Sequence, residues 1–236
     1  PIHAFSGAFQ ESEKFDERPF IRQMTALYPS INYSETLINR ENFLETLEKI
    51  IWFLDEPIAG PGVYPQFFVS KLISKSSIKV VLGGQGGDEL FGGYPHYYAG
   101  LIGSGLAFFK QTGRFFHPRW KELIVPALTH SGRTFLSRLL NIQKRGNDSF
   151  FTSNFLKHTD YSPIERAIRA SSISSESMME FDLRYYLPSL LHVEDRVSMA
   201  FSIETRLHFL DHRLAEYAAS IPFYYKLNPR RYKYIL

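Results

Sequence analysis

The chain has 236 residues, which is enough for one sizeable hydrophobic core. With 44% hydrophobic and 22% charged residues it has the composition of a globular protein, and its net charge of +3 is too small to indicate nucleic-acid binding. The sequence has no cysteine, which excludes a disulfide framework, a thiolate metal site and a cysteine nucleophile within it, and no apolar run reaches membrane-spanning length. We therefore expect a cytoplasmic protein without a membrane or nucleic-acid partner.

The first part of the chain alternates predicted strands with predicted helices. Leucine and isoleucine recur at helical spacing between Glu41 and Leu54, and Pro57 disfavours a longer helix. The apolar run from Lys79 to Leu82 contains β-branched residues and predicts a buried strand. The predicted elements are a strand over residues 2–9, helices over 16–26, 41–54 and 67–74, and a strand over 79–82. This order is typical of a parallel α/β arrangement.

A glycine-rich stretch follows the strand over residues 79–82, with four glycines between Gly83 and Gly87. Glycine lets a ligand approach the main chain closely, and ligands of open parallel sheets bind beyond the carboxyl ends of the strands. Asp88 and Glu89 come next, at the predicted start of a helix. Their carboxylates either stabilise the helix dipole or hold Mg²⁺ against a phosphate. No Gly-Lys-Ser/Thr follows the glycines, which excludes a P-loop.

A second informative segment covers residues 179–225. Leucines at helical spacing predict a buried helix face that is interrupted at Pro188. Five charges then stand among apolar residues: Glu194, Asp195, Arg196, Glu204 and Arg206. Because buried charges are costly unless paired, they form either a structural ion-pair network between helices or the polar wall of an amino-acid pocket.

A last helix is predicted over residues 210–220, ended by Pro222, with four residues facing inward: Leu214, Tyr217, Ala218 and Ile221. The sequence between residues 101 and 177 is less informative, although it predicts an amphipathic helix over residues 134–144. The chain starts with Pro1, and residues 231–236 have the pattern of a helix cut in mid-turn. Both features lead us to expect a segment of a longer protein.

Two segments carry a resemblance to one family. Residues 83–94, with the sequence GGQGGDELFGGY, resemble the signature of the synthetase domain of glutamine-dependent asparagine synthetases. Residues 195–200, 203–206 and 209–211 resemble the second signature of that family. The chain departs from the usual pattern at Gln85, where many members have an acidic residue, at His208, where proline is usual, and near Gly60, where members often have aspartate.

The resemblance implies an α/β fold with an adenine nucleotide alpha hydrolase-like (HUP-type) parallel-sheet core and extensive helical additions. It implies that residues 1–236 form a partial asparagine synthetase domain. We expect residues 1–100 to be its α/β nucleotide-binding part and residues 101–236 to be mainly helical.

The implied reaction is that of a ligase of asparagine biosynthesis. ATP and Mg²⁺ activate aspartate to β-aspartyl-AMP, and ammonia then forms the amide. In this family an N-terminal glutaminase domain, expected upstream in the same chain, makes the ammonia from glutamine. Two alternatives stay open: a related ATP-dependent amide ligase of the β-lactam synthetase type, and a non-catalytic homologue. The acceptor carboxylate and the oligomeric state, including a homodimer, are also left open.

The resemblance implies roles for individual residues. Gln85 would hydrogen-bond near the activated carboxylate, and Lys233, in a segment similar to the family's phosphate-contacting lysine segment, would stabilise the phosphates. The implied nucleotide-binding residues are Gly7, Gly83, Gly84 and Gly86, and the implied metal-binding residues are Asp88 and Glu89. Asp195, Arg196, Glu204 and Arg206 are either structural or substrate-facing.

One expected part of the machinery is missing from this sequence. The family carries a Ser-Gly-Gly-x-Asp-Ser loop that binds the pyrophosphate of ATP, and it lies after a first strand upstream of the strand over residues 2–9. Neither this loop nor the glutaminase cysteine occurs in the chain. We therefore expect the 236-residue chain to be inactive by itself.

Overall fold

The computed structural model describes residues 2–9, 16–39, 41, 43–56, 60, 62–94, 96–97, 175–227 and 233–236. The chain forms two compact units, the first from Pro1–Gly83 with Ser189–His208 and the second from Gly84–Pro188 with Phe209–Leu236. The predicted helix over residues 134–144 lies outside the described residues. The expected division at residue 100 stays a prediction, because residues 98–174 are not among those described.

Numbered along the described residues, the strands are β1 (Ile2–Phe9), β2 (Ile31–Ile38), β3 (Val80–Gly83) and β4 (Glu204–Leu207). The helices are α1 (Arg18–Leu27), α2 (Phe43–Leu54), α3 (Val63–Ile73), α4 (Gly87–Phe91), α5 (Ser175–Phe181), α6 (Leu187–Met199), α7 (His212–Ser220) and α8 (Phe223–Lys226). A π-helical turn (Asp182–Tyr186) joins α5 to α6, and a 3₁₀ turn (His208–Leu210) follows β4. The two strands and three helices predicted in the first part of the chain are confirmed, with shifted ends.

In the first unit, β1 pairs in parallel with β2, from Ile2 opposite Ile31 to Phe9 opposite Ile38. The sequence did not predict β2, because its centre is polar and only its last residue, Ile38, is buried. Helix α3 packs against both strands. The core of this unit consists of Ile38, Ile50, Leu54, Val63, Tyr64, Phe67 and Val197. The predicted α/β class with parallel strands is thus present.

The other parallel pair of the first unit joins β3 to β4, from Val80 opposite Glu204 to Gly83 opposite Leu207. The sequence does not predict the strand β4, because its charged residues indicate an ion-pair network or a pocket wall. Its side chains alternate between exposed and half-buried, so Glu204 and Arg206 share the exposed face. These four residues form a strand because they pair with β3, which lies far away in the sequence. The local sequence alone therefore does not predict the strand.

In the second unit, α5, the π-helical turn and α7 pack against the short helix α4. The predicted interruption is found in the turn before Pro188: α5 ends at Phe181, and α6 begins at Leu187 with Pro188 as its second residue. Proline cannot donate to the carbonyl four residues earlier and its ring crowds that carbonyl. The widened turn over Asp182–Tyr186, directly before α6, takes up this misfit.

Helix α7 confirms the predicted helix near residues 210–220, and the side chain of Asp211 caps it by accepting a hydrogen bond from the Arg213 N–H. Ala218 is fully buried and Leu214 packs beside it, as predicted. The expectation for Tyr217 is wrong, since 66% of it is exposed. The buried cluster of this region consists of Leu90, Phe91 and Ala218. None of the described helices has both the length and the apolar composition needed to cross a membrane.

Candidate functional site

The second unit begins with the glycine turn that leads into α4. Gly86 has a φ of +90°, a conformation that favours glycine, and its Cα lies against Leu210. Gly87 packs in the same way on the ring of Phe209. Gly84 is exposed and a side chain there would meet open space, while Gln85 is half-buried. The turn is therefore anchored through Gly86 and Gly87, and Gly84 leaves its main chain accessible.

Asp88 and Lys233 form the central ion pair of the candidate site. The Asp88 carboxylate oxygen Oδ1 lies 3.0 Å from the Lys233 Nζ. In the sequence, Asp88 stands near the start of the second unit and Lys233 near its end. Both side chains stay accessible, with 33% of the Asp88 side chain and 41% of the Lys233 side chain exposed. The fold thus brings together two of the predicted site residues and presents an anion and a cation side by side to solvent.

Glu89, the second predicted metal ligand, is oriented differently. It is 1% exposed, and its Oε1 accepts a hydrogen bond of 2.7 Å from the Tyr94 hydroxyl. Burial, and after it the hydrogen bond to Glu89, raise the pKa of the Tyr94 phenol far above its ordinary value, so that it stays a donor. Of the two neighbouring carboxylates, Asp88 is the accessible one and Glu89 is a buried acceptor.

A second buried carboxylate, Asp182 in the π-helical turn, is not predicted from the sequence. Its Oδ2 accepts a hydrogen bond from the Tyr97 hydroxyl at 2.7 Å and lies 2.7 Å from the His96 Nε2. Tyr97 is fully buried, and this burial raises the pKa of its phenol. Asp182 belongs to no recognisable motif, and only the folded chain brings it to the residues that follow the glycine signature.

The first unit contains a cleft of 770 Å³ between two strand edges. Residues 2–5 of β1 and all residues of β3 line it, together with apolar residues of α3 and Val197 of α6. Successive side chains of a strand point to opposite faces, so consecutive lining residues mean that the strand edges border the cleft. Among the described residues, β1 pairs only with β2 and β3 pairs only with β4. The cleft therefore meets main-chain groups on two sides.

Two predicted nucleotide-binding glycines of the first unit have packing reasons for lacking a side chain. A Cβ at Gly7 would lie 2.8 Å from the Ile38 Cδ1, and a Cβ at Gly83 would lie 2.8 Å from a methyl carbon of Leu207. Near Gly83, the carboxylate of Glu194 accepts a hydrogen bond of 2.6 Å from Gln66 Nε2, and both residues line the cleft. The predicted roles of Gly7 and Gly83 toward adenine and ribose stay predictions.

Three of the charged residues of the second signature form ion pairs at the surface of the first unit. Arg196 Nη1 lies 3.1 Å from Asp55 Oδ2, which ties α6 to the end of α2. Glu204 and Arg206 pair with each other at 2.8 Å on the exposed face of β4, and Asp195 is exposed. Exposed pairs of this kind contribute about 0–1 kcal/mol. A substrate-facing role for these residues stays a prediction.

A complete metal cage is not found within the described part of the chain, where no three His, Asp or Glu side chains come together. Mg²⁺ does not need such a cage, because it is commonly held by one or two carboxylates together with substrate phosphates and water. The exposed carboxylate of Asp88 suits this kind of binding. The ammonium group of Lys233 beside it suits the phosphate oxygens.

Comparison with known proteins shows the family of the chain. The family model described as Asparagine synthase matches residues 1–236. The chain is similar to asparagine synthetase (glutamine-hydrolysing) 1 of Bacillus subtilis, with 30% identity over 254 residues covering 100% of this chain and 39% of the relative. It is similar to asparagine synthetase (glutamine-hydrolysing) 3 of the same organism, with 25% identity over 245 residues covering 100% of this chain and 37% of the relative. A Mycobacterium tuberculosis protein with the same enzyme name shares 30% identity over 217 residues, 85% of this chain and 32% of its own length. The chain thus spans about a third of the length of these relatives.

Proposed function

Because this chain belongs to the asparagine synthase family, we propose that it is part of an enzyme that makes asparagine from aspartate, ATP and ammonia. The first step is adenylation of the aspartate side-chain carboxylate, with release of pyrophosphate. The second step is attack of ammonia on the acyl-adenylate, which forms the amide and releases AMP. The ammonia comes from glutamine in a glutaminase domain of the complete protein, and the sheet belongs to the adenine nucleotide alpha hydrolase-like type.

The observation that carries the proposal is the ion pair between Asp88 and Lys233. In the adenylation step negative charge develops on the departing pyrophosphate, and preorganised cationic groups lower the barrier. Lys233 supplies one such group from this chain. Asp88 would hold Mg²⁺, which neutralises phosphate charge when bound.

The remaining implied site residues act around this pair. Gln85, half-buried in the glycine turn, would hydrogen-bond near the activated carboxylate. Gly84 and Gly86 would offer main-chain groups to the nucleotide, and the open surroundings of Gly84 support this role. The buried Glu89 supports the site by bonding Tyr94 rather than by contacting the metal directly.

The fold and the family support two alternatives less well. A ligase of the β-lactam synthetase type would adenylate a different carboxylate and use an internal amine. A non-catalytic homologue would have no need for an accessible carboxylate and lysine held side by side. The curated relatives reported above are all named as asparagine synthetases, which favours aspartate as the acceptor.

The test is substrate-dependent product release by the complete protein. We expect AMP and pyrophosphate to appear only when aspartate is supplied, and asparagine to form from ammonium chloride without glutamine. Product release that depends on another carboxylate would favour the alternative ligase. A protein that binds ATP but forms no adenylate with any carboxylate would be a non-catalytic homologue.

A further inference from the structure

The residue that allows the ion pair of the candidate site to form is a glycine that contacts both partners. Gly93 follows α4 and has a φ outside the left-handed region, so its backbone conformation is open to any amino acid. A Cβ at this position would nevertheless lie 2.6 Å from Cγ of Asp88 and 2.8 Å from Cε of Lys233. It would be even closer to Oδ1 of Asp88. The need for glycine therefore comes from the two side chains and not from the backbone.

The main chain around Gly93 is fixed by hydrogen bonds, so it cannot simply move away from a new side chain. The N–H groups of Gly92 and Gly93 both donate to the main-chain oxygen of Asp88, at 3.0 and 2.9 Å. The next residue, Tyr94, is tied by its hydroxyl to the buried Glu89. Gly92 itself takes a φ of +74° and lies against Leu227. The Cα of Gly93 is thus held against the Asp88 carboxylate from both directions.

We infer that Gly93 is a positioning residue that sets the geometry of Asp88 and Lys233. Its bare Cα forms the surface on which the carboxylate rests, and it leaves the space through which the lysine side chain reaches that carboxylate. A methyl group in this space would displace the Asp88 carboxylate, which it meets most closely, and the flexible end of the Lys233 side chain would move away from it. The geometric part of the inference stands on the contacts alone, and its consequence for metal and phosphate binding rests on the proposed function.

The first test compares Gly93→Ala in two backgrounds of the complete protein. The clash with the carboxylate disappears when Asp88 is shortened to alanine, so Gly93→Ala should lower the melting temperature clearly in the wild type and much less in Asp88→Ala. Gly62→Ala is the matched control, because a Cβ at Gly62 meets no atom within 4 Å and its φ of −62° suits alanine. Gly62→Ala should have the same small effect in both backgrounds.

The second test measures the site directly. In a crystal structure of Gly93→Ala the distance from Oδ1 of Asp88 to Nζ of Lys233 should exceed the 4 Å limit of an ion pair, while Gly62→Ala should keep it near 3.0 Å. Binding of Mn²⁺ with ATP, followed by equilibrium dialysis, should weaken by about 10- to 100-fold in Gly93→Ala, as for other residues that orient a metal ligand.

The outcomes separate this inference from the proposed function. An equal loss of melting temperature in both backgrounds, or an unchanged ion-pair distance, would overturn the positioning role. Another outcome is a melting temperature that falls only when Asp88 is present, with an increased distance between Asp88 and Lys233, while the Mn²⁺ affinity stays unchanged. This result would support the positioning role and count against Asp88 as the metal ligand. If Gly93→Ala fails to fold in the wild type, folding of Gly93→Ala/Asp88→Ala supports the inference, and failure of both overturns it.

Discussion

Tyr94 donates a hydrogen bond of 2.7 Å to the buried carboxylate of Glu89, and this bond gives two adjacent acidic residues different roles. Asp88 and Glu89 are equivalent in the sequence, where each is a carboxylate after a glycine turn. In the folded chain Glu89 is 1% exposed and satisfied by a phenol, while Asp88 is accessible and faces Lys233. The metal-binding proposal therefore concentrates on Asp88.

Removal of the Tyr94 hydroxyl should destabilise the protein. Tyr94→Phe leaves the buried Glu89 carboxylate without this donor, and we expect a loss of about 1–3 kcal/mol in the free energy of unfolding. Tyr185→Phe is the control, because Tyr185 is 54% exposed. Urea unfolding at pH 7 measures both variants, and equal stability of Tyr94→Phe and Tyr185→Phe would contradict the assigned bond.

The pH dependence of the same pair follows from the raised pKa of Tyr94. A phenol with a folded-state pKa above its unfolded value of about 10 contributes stability that is fully present below pH 10 and is lost as the pH rises beyond it. The gap in stability between the wild type and Tyr94→Phe should therefore be constant near neutral pH and should narrow above about pH 10. A gap that widens there would contradict the prediction.

Replacement of the accessible carboxylate should affect chemistry far more than folding. Asp88→Asn removes a charge from an exposed pair, which is worth about 0–1 kcal/mol. In the complete protein we expect aspartate-dependent exchange between ATP and pyrophosphate to fall by about a hundredfold or more. Glu216→Gln, an exposed change on α7, should leave the exchange rate unaltered. Exchange at the wild-type rate in Asp88→Asn at saturating Mg²⁺ would exclude the metal role.

Replacement of Lys226 should stabilise the protein, in contrast to removal of the Tyr94 hydroxyl. It is 6% exposed, and burial lowers the pKa of its ammonium group below 10.5. The charged form is therefore penalised in the folded state at neutral pH, and this penalty disappears as the pH rises toward 10.5. Lys226→Met should raise the melting temperature by a few degrees at pH 7 and by less at pH 10. Lys75→Met, at an exposed position, should change little, and a lower melting temperature for Lys226→Met would show that the ammonium group is needed.

The cleft of the first unit leads to a prediction about the chain itself. The edges of strands β1 and β3 border this cleft of 770 Å³. The family resemblance implies a further strand and a pyrophosphate-binding loop upstream of β1. Among the residues that the structure describes, neither edge has a partner strand along the cleft, and unpaired edges promote association between molecules. We predict that the 236-residue chain self-associates and shows no ATP–pyrophosphate exchange, and that a chain extended upstream shows both monodisperse behaviour and exchange. Light scattering measures the self-association, and the exchange assay measures the activity. Exchange by the 236-residue chain would show that the upstream loop is dispensable.

The sequence alone determined the features that depend on neighbouring residues. The periodic leucines of α2 predict a helix, and the apolar run before the glycines predicts a strand. The glycines and the residues after them predict a turn and the start of a helix, and all of these elements are found in the right places. The two signature segments were long enough to indicate the family, which the match over the whole chain then showed. Local propensity and motif suffice here because the interactions that fix these elements lie within a few residues.

Tertiary structure decided what depends on partners far away in the sequence. The strands β2 and β4 have polar, unremarkable sequences and form because β1 and β3 supply their hydrogen bonds. The same is true of the site, where Lys233 reaches Asp88, Asp182 joins Tyr97, and Gly93 leaves room for the ion pair. Hydrogen bonds, ion pairs and steric fit act over a few ångströms in space, so sequence spacing cannot reveal which distant side chains will share them.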